Sequence, residues 1–218
     1  MHIIFSPIWF MGIDSIFEIL SAIIAIFVGF YAFKIYRSTR KKDFFYLFIA
    51  FAMLFFAFIV RSFTDLAAYS LFLESIPIIT KIVQVQYVYY TGIYTYQLLT
   101  LLGYLTLAIL ALKIRGRRVI SLLVMFVIIS SVMSLVSYSA FHMIAAVMLS
   151  YVVLHFYENC SRKFCKNSLL VFVSFLLIFL SQVIFIFIFH TWFYVLGQVL
   201  QFLGYFLLLA NLILVYRS

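Results

Sequence analysis

The sequence predicts an all-α membrane protein of seven transmembrane helices, with the N-terminus outside the cell and the C-terminus in the cytoplasm. Three observations lead there. Of 218 residues, 68% are hydrophobic and only 10% charged, where a soluble domain is nearer half apolar and a quarter charged. Apolar stretches of about 20 residues, the length that crosses a hydrocarbon core about 30 Å thick, follow one another along the chain. Lys and Arg gather in every second connection between those stretches. No segment remains that would fold as a soluble domain, so residues 1–218 read as one seven-helix domain of a multi-pass cell-membrane protein.

Each element has its own boundary signals. The opening MHIIFSPIWFMGID lacks the basic start and small-residue cleavage site of a signal peptide. It reads as an apolar lead, with Trp9 suited to the outer interface. The first span runs from about Asp14 to Tyr36 and stops at RSTRKKD; the second runs from about Phe44 to Leu66. A connection with Glu74, Pro77 and Lys81 follows. The third helix starts soon after Pro77 or somewhat later, protrudes outside if early, and ends near Leu112 before KIRGRR. The fourth span covers about 119–138 and the fifth about 140–158. The loop NCSRKFCKN leads to the sixth, about 168–189, and HTWF leads to the seventh, about 194–216.

Orientation follows from the basic residues flanking the spans. Lys34, Arg37, Arg40, Lys41 and Lys42 stand at the inner end of the first span and the loop beyond it. Lys113, Arg115, Arg117 and Arg118 follow the third, Arg162, Lys163 and Lys166 follow the fifth, and Arg217 ends the seventh. The opposite side has only Lys81, because Arg61 falls inside a span. The net charge of +9 therefore reports topology and does not call for a nucleic-acid partner.

An internal repeat is also legible. The third span reads QLLTLLGYLTLAILAL and the seventh QVLQFLGYFLLLANLI, matching Gln97 with Gln198, Gly103 with Gly204 and Tyr104 with Tyr205. FEILSAIIAIFVGFYAF of the first span aligns with FHMIAAVMLSYVVLHFY of the fifth, and Asp43 and Asn167 open the spans that follow. The expectation is two parallel three-helix repeats, 14–112 and 140–216, joined by a linker helix, 119–138. This 3+1+3 layout resembles the SWEET-type sugar transporters and the PQ-loop family, whose spans carry prolines; here Pro7 and Pro77 fall outside the spans. More loosely, the chain is similar to the seven-helix membrane sensor modules of prokaryotic signalling proteins. Those modules are usually fused to a kinase or regulator domain, so the resemblance implies a cytoplasmic or membrane protein partner. A retinal protein is excluded by the lack of lysine in 194–216.

Polar groups inside a membrane are costly and mark the bundle interior or a function. Asp14 and Glu18 lie four apart on the first span, as do Arg61 and Asp65 on the second. Gln97, His142, Gln182, Gln198 and Gln201 lie in the outer half of their spans, and His190 follows the outer end of the sixth. The inner half is nearly all apolar, with His155, Asn211, Lys34 and some tyrosines as exceptions. A conducting pathway needs polar groups through the full depth. The distribution instead points to a ligand pocket open to the outside, formed by Glu18, Arg61, Asp65, Gln97, His142, Gln182, His190, Gln198 and Gln201. The competing expectation is snorkelling to the outer interface, which Asp14, Asp65, His142, His190 and Gln198 are all near enough to do. Glu18 and Arg61 lie about a turn deeper and form a natural ion pair if their helices adjoin. The tyrosines 87, 89, 90, 94 and 96 suit the interface or a pocket entrance.

No metal site is expected. Cys160 and Cys165 read as two free thiols of a basic loop. His142 and His190 lie at similar depth on consecutive spans, so they are the one pair that would hold a haem. The serines 130, 131, 134 and 137 are spaced for close helix approach. No H-E-x-x-H, G-x-S-x-G or phosphate-binding loop is present, so the chain does not read as an enzyme. Three functions stay open: a receptor-like or ligand-binding module with output through a partner, a small 3+1+3 transporter, and a structural or accessory subunit of a membrane complex, with or without haem.

Overall fold

The structure, a computed structural model, describes residues 10, 12–73, 78–134, 137–162, 166–187 and 191–217. Among these lie seven helices, α1 Ile13–Thr39, α2 Lys42–Leu73, α3 Ile78–Ala111, α4 Arg117–Ser134, α5 Tyr138–Arg162, α6 Lys166–Ile186 and α7 Thr191–Arg217. Each is long and apolar enough to cross a bilayer. Trp9, Glu74, Pro77, Lys163, Cys165 and His190 lie outside the described residues.

Local chemistry sets the ends. Asp14 in the first turn of α1 accepts from the amides of Gly12 and Ser15, both at 2.9 Å, filling donors that a helix start leaves open. Arg40 closes α1 in the left-handed conformation, its N–H on the Tyr36 carbonyl at 2.7 Å. Lys42 then opens α2 at once, so the basic run forms a tight hairpin. α2 and α3, of 32 and 34 residues, are about 50 Å long at 1.5 Å per residue and run past their apolar parts. The third helix thus takes the earlier of its two expected starts.

One boundary differs from expectation. The fourth helix ends at Ser134, and Tyr138 belongs to α5. Ser137 lies between them and gives its carbonyl to the Ala140 amide at 3.1 Å, turning the chain into α5. Serine tolerates both a helix interior and a helix start, so SLVSYSA showed no break.

Six helices close a ring. Neighbours in space are α1–α2, α2–α3, α3–α5, α5–α6, α6–α7 and α7–α1. Among the described residues α4 packs only on α3 and α5, outside the ring, and turns Leu122, Met125, Phe126 and Ile129 outward. The centre is filled. Phe58 of α2 meets Tyr205 of α7 edge to face at 5.1 Å, and buried Tyr104 approaches Tyr205. Toward the end of the bundle with the basic connections, the core is Ala25, Ala50, Leu54, Leu105, Leu149 and Phe175.

Glycines set the helix spacing at several close approaches, among them Gly103 and Gly204. A methyl at Gly103 would lie 3.0 Å from Leu54 Cγ and 3.2 Å from the Ala50 carbonyl. A methyl at Gly204 would lie 2.6 Å from Ile178 Cγ1 and 2.9 Å from the Ser174 carbonyl. Only glycine lets α3 and α7 seat this tightly on α2 and α6.

Candidate functional site

The polar residues of the other half of the bundle face inward. Asp14, Glu18, Arg61, Gln97, His142, Gln182, Gln198 and Gln201 are all buried, none more than 7% exposed. A snorkelling side chain keeps its polar end in water, so this inward burial separates the two expectations for them. Asp65, farther along α2, is half-buried.

The charged part is built on α1 and α2. Their packing brings Arg61 Nε to 3.5 Å from Glu18 Oε1 and 2.9 Å from Asp65 Oδ2. The i, i+4 spacing of Arg61 and Asp65 puts both on one face. The guanidinium also lies over the Tyr96 ring of α3, 5.6 Å from its centroid, so a cation–π contact adds to the ion pairs. Glu18 Oε2 and Arg61 Nη1 are buried without a hydrogen-bond partner among the described residues. Ser62 ties the two helices further, its hydroxyl donating to the Ser15 carbonyl at 3.4 Å.

The neutral part is built on α5, α6 and α7. His142 Nδ1 lies 2.7 Å from Gln182 Oε1. A carbonyl oxygen only accepts, so the proton of a neutral imidazole sits on Nδ1. That leaves Nε2 as an acceptor, and it has no partner among the described residues. Gln182 Nε2 in turn donates to Gln201 Oε1 at 3.4 Å. The imidazole is enclosed by Tyr138, Phe141 and Phe185, with ring centroids at 4.4, 4.7 and 4.8 Å.

Two links close the set. Tyr194 donates to Asp14 Oδ2 at 3.4 Å, and Gln198 Nε2 donates to the Tyr194 hydroxyl at 3.2 Å, joining α7 to α1. The Ser134 hydroxyl lies 2.7 Å from Gln97 Oε1, joining α4 to α3. Asp14, Tyr194 and Ser134 were not among the expected site residues, and Tyr96 was expected at the interface or a pocket entrance. Tyr194 read only as the start of the seventh span, and Ser134 as a small packing residue. The outer tyrosines in fact divide: Tyr89 and Tyr96 are buried, whereas Tyr87 is 74% exposed. Tyr96 lies four after Gly92 on α3, and its spacing from Arg61 carried no signal because it depends on how α2 and α3 pack.

The arrangement holds charge and accepts and donates hydrogen bonds. Among the described residues no group of three or more His, Cys, Asp or Glu is placed to hold a metal ion. Cys160 is a free thiol. Comparison with protein-family models, with curated proteins and with solved structures finds no match.

Proposed function

We propose that the chain is a multi-pass membrane protein, N-terminus outside and C-terminus cytoplasmic, that binds a small polar ligand in a pocket reached from outside and passes the event to a protein partner. The observation that carries this reading is the convergence of buried polar groups from the ring helices in one half of the bundle. Several end in atoms with no hydrogen-bond partner among the described residues: Glu18 Oε2, Arg61 Nη1, His142 Nε2. Buried polar atoms in native proteins are ordinarily satisfied, so open ones mark where a ligand or water completes the site. Glu18 and Asp65 share a single guanidinium, with Asp14 about a turn before Glu18 on α1, and that excess of carboxylates favours a ligand with a cationic group.

Two tests apply. For topology, single cysteines in a background lacking Cys160 and Cys165 are treated with an impermeant thiol reagent on intact cells. Tyr87→Cys should label and Arg117→Cys should not; the reverse pattern overturns the orientation. For the pocket, thermal unfolding of purified protein is followed with small organic cations, amino acids and sugars. A ligand at a hundred times its Kd should raise the Tm by about 5 °C or more. Glu18→Gln should abolish the shift while remaining folded. If no class of solute shifts the wild type, the ligand-binding reading fails.

A second reading, a small transporter built from two parallel repeats, is favoured by the helix packing. The register that matches Asp43 with Asn167 also matches Ala50 with Ser174 and Leu54 with Ile178. Those are the residues facing Gly103 and Gly204, themselves a matched pair. Buried Ser174, Phe175, Ile178, Ser181, Gln182 and Phe185 fall on Ala50, Phe51, Leu54, Ala57, Phe58 and Arg61, all buried too. Parallel repeats about an axis along the membrane normal are a transporter architecture. Uptake of the stabilising solute into liposomes separates this reading from the first. The accessory reading, with haem between His142 and His190, draws on the two histidines alone.

A further inference from the structure

The opposite, basic end of the bundle holds a cavity of about 940 Å³, a volume typical of small-molecule sites. It exists because α4 stands outside the ring. Among the described residues α4 does not touch α2, which leaves a groove between them with α3 as its floor. Leu102, Leu105 and Ile109 line the floor, Ile49 and Met53 one wall, and Val124 the other. The floor's hydroxyl, on Thr106, is already committed to the Leu102 carbonyl at 2.8 Å. The groove therefore presents an apolar interior.

Its mouth is different. Lys41, Lys42, Lys113 and Arg115 line it, against one carboxylate, Asp43. The N-terminus of α2 opens there at Lys42, adding the positive end of a long helix. Lys113 is held at the mouth by the end of α3. Its φ is +54°, the Ile114 amide reaches back to the Ile109 carbonyl at 3.1 Å and the Lys113 amide to the Leu110 carbonyl at 3.2 Å. This is the closure usually given to glycine, here occupied by a cation.

We infer that this groove binds one anionic phospholipid of the adjoining leaflet, its phosphate among Lys41, Lys42, Lys113 and Arg115 and one acyl chain along α3. Three features argue for a lipid. The rim is complementary to an anion and the interior to a hydrocarbon chain. From Lys42 to Met53 the groove extends about 16 Å at 1.5 Å per residue, the depth of one leaflet of a core about 30 Å thick. It is open sideways between α2 and α4, the direction from which a membrane lipid arrives. The inference rests on the chain spanning a membrane. It needs neither the orientation nor the polar pocket.

The test uses the full chain, purified in neutral detergent and reconstituted in phosphatidylcholine nanodiscs to establish insertion independently. Native mass spectrometry then follows titration with phosphatidylglycerol, phosphatidylcholine and inorganic phosphate. Phosphatidylglycerol should be retained at one per chain, phosphatidylcholine far more weakly, and phosphate not at all. Each basic residue at an anionic surface changes binding about five-fold, so Lys42→Gln with Lys113→Gln should weaken it about twenty-five-fold. Thr106→Phe, which fills the floor without touching charge, should abolish it; should that variant not fold, the charge pair decides alone. Equal retention of the two lipids, binding of phosphate alone, or a charge variant that binds as the wild type overturns the proposal. So does a dimer that Thr106→Phe dissociates, because the groove would then be filled by a second copy. Insertion into nanodiscs without lipid preference sinks the site and leaves the membrane reading intact.

Discussion

The half of the bundle made by α1, α2 and α3 and the half made by α5, α6 and α7 each seat a glycine of one helix against its neighbour, Gly103 on α2 and Gly204 on α6, and carry unlike chemistry. On the register proposed above, Glu18 corresponds to His142 and Arg61 to Phe185. In the first half these positions form an ion pair at 3.5 Å. In the second they form a ring contact at 4.8 Å between imidazole and phenyl. Arg61 lies over Tyr96, and at the corresponding place Phe185 fills the space beside Gly197, where a methyl would come within 2.6 Å of its ring. The lesson is that helix contacts constrain where a side chain goes, and leave open what it does there. One wall of the interior is charged and the other is a neutral chain of hydrogen bonds.

The comparison breaks most visibly at Arg61. Arg61→Met leaves buried Glu18 and half-buried Asp65 without their cation, and breaking a buried pair costs about 3–5 kcal/mol. Phe185→Leu at the corresponding position exchanges one apolar group for another and should cost about 1 kcal/mol. Thermal unfolding in detergent measures both. Equal losses would mean that the charged wall is not under the burial described here.

A smaller effect sharpens the packing side. Gly204→Ala meets the Ser174 carbonyl and Ile178 more closely than Gly103→Ala meets Ala50 and Leu54. Overpacking costs about 1–3 kcal/mol, so both should destabilise, with Gly204→Ala at the upper end. A neutral Gly103→Ala would separate the two positions and remove the main support for the repeat.

Much of this was legible beforehand, for physical reasons. An apolar helix of bilayer length declares itself by composition, and seven of them did. A glutamate and an arginine a turn inside a span have few inexpensive places to go, and their pairing at 3.5 Å followed once α1 and α2 adjoined. Other parts were hidden. Tyr96 looks like an interface or entrance aromatic, and Tyr194 like a span boundary, until the rotation of α3 and α7 is known. Ser134 looks like a packing residue until Gln97 is placed beside it. The groove at the basic end depends on α4 leaving the ring, and no local sequence signal marks the absence of a helix contact.

The central claim is that Glu18 and Arg61 meet inside the bundle and not among lipid headgroups. A double-mutant cycle on Glu18→Gln and Arg61→Met, followed by reversible unfolding in detergent at low and high salt, tests it most directly. A buried, coupled pair should give an interaction energy of about 1.5–3 kcal/mol, little changed by salt. A coupling below about 0.5 kcal/mol that fades with salt, the behaviour of exposed pairs, would contradict it.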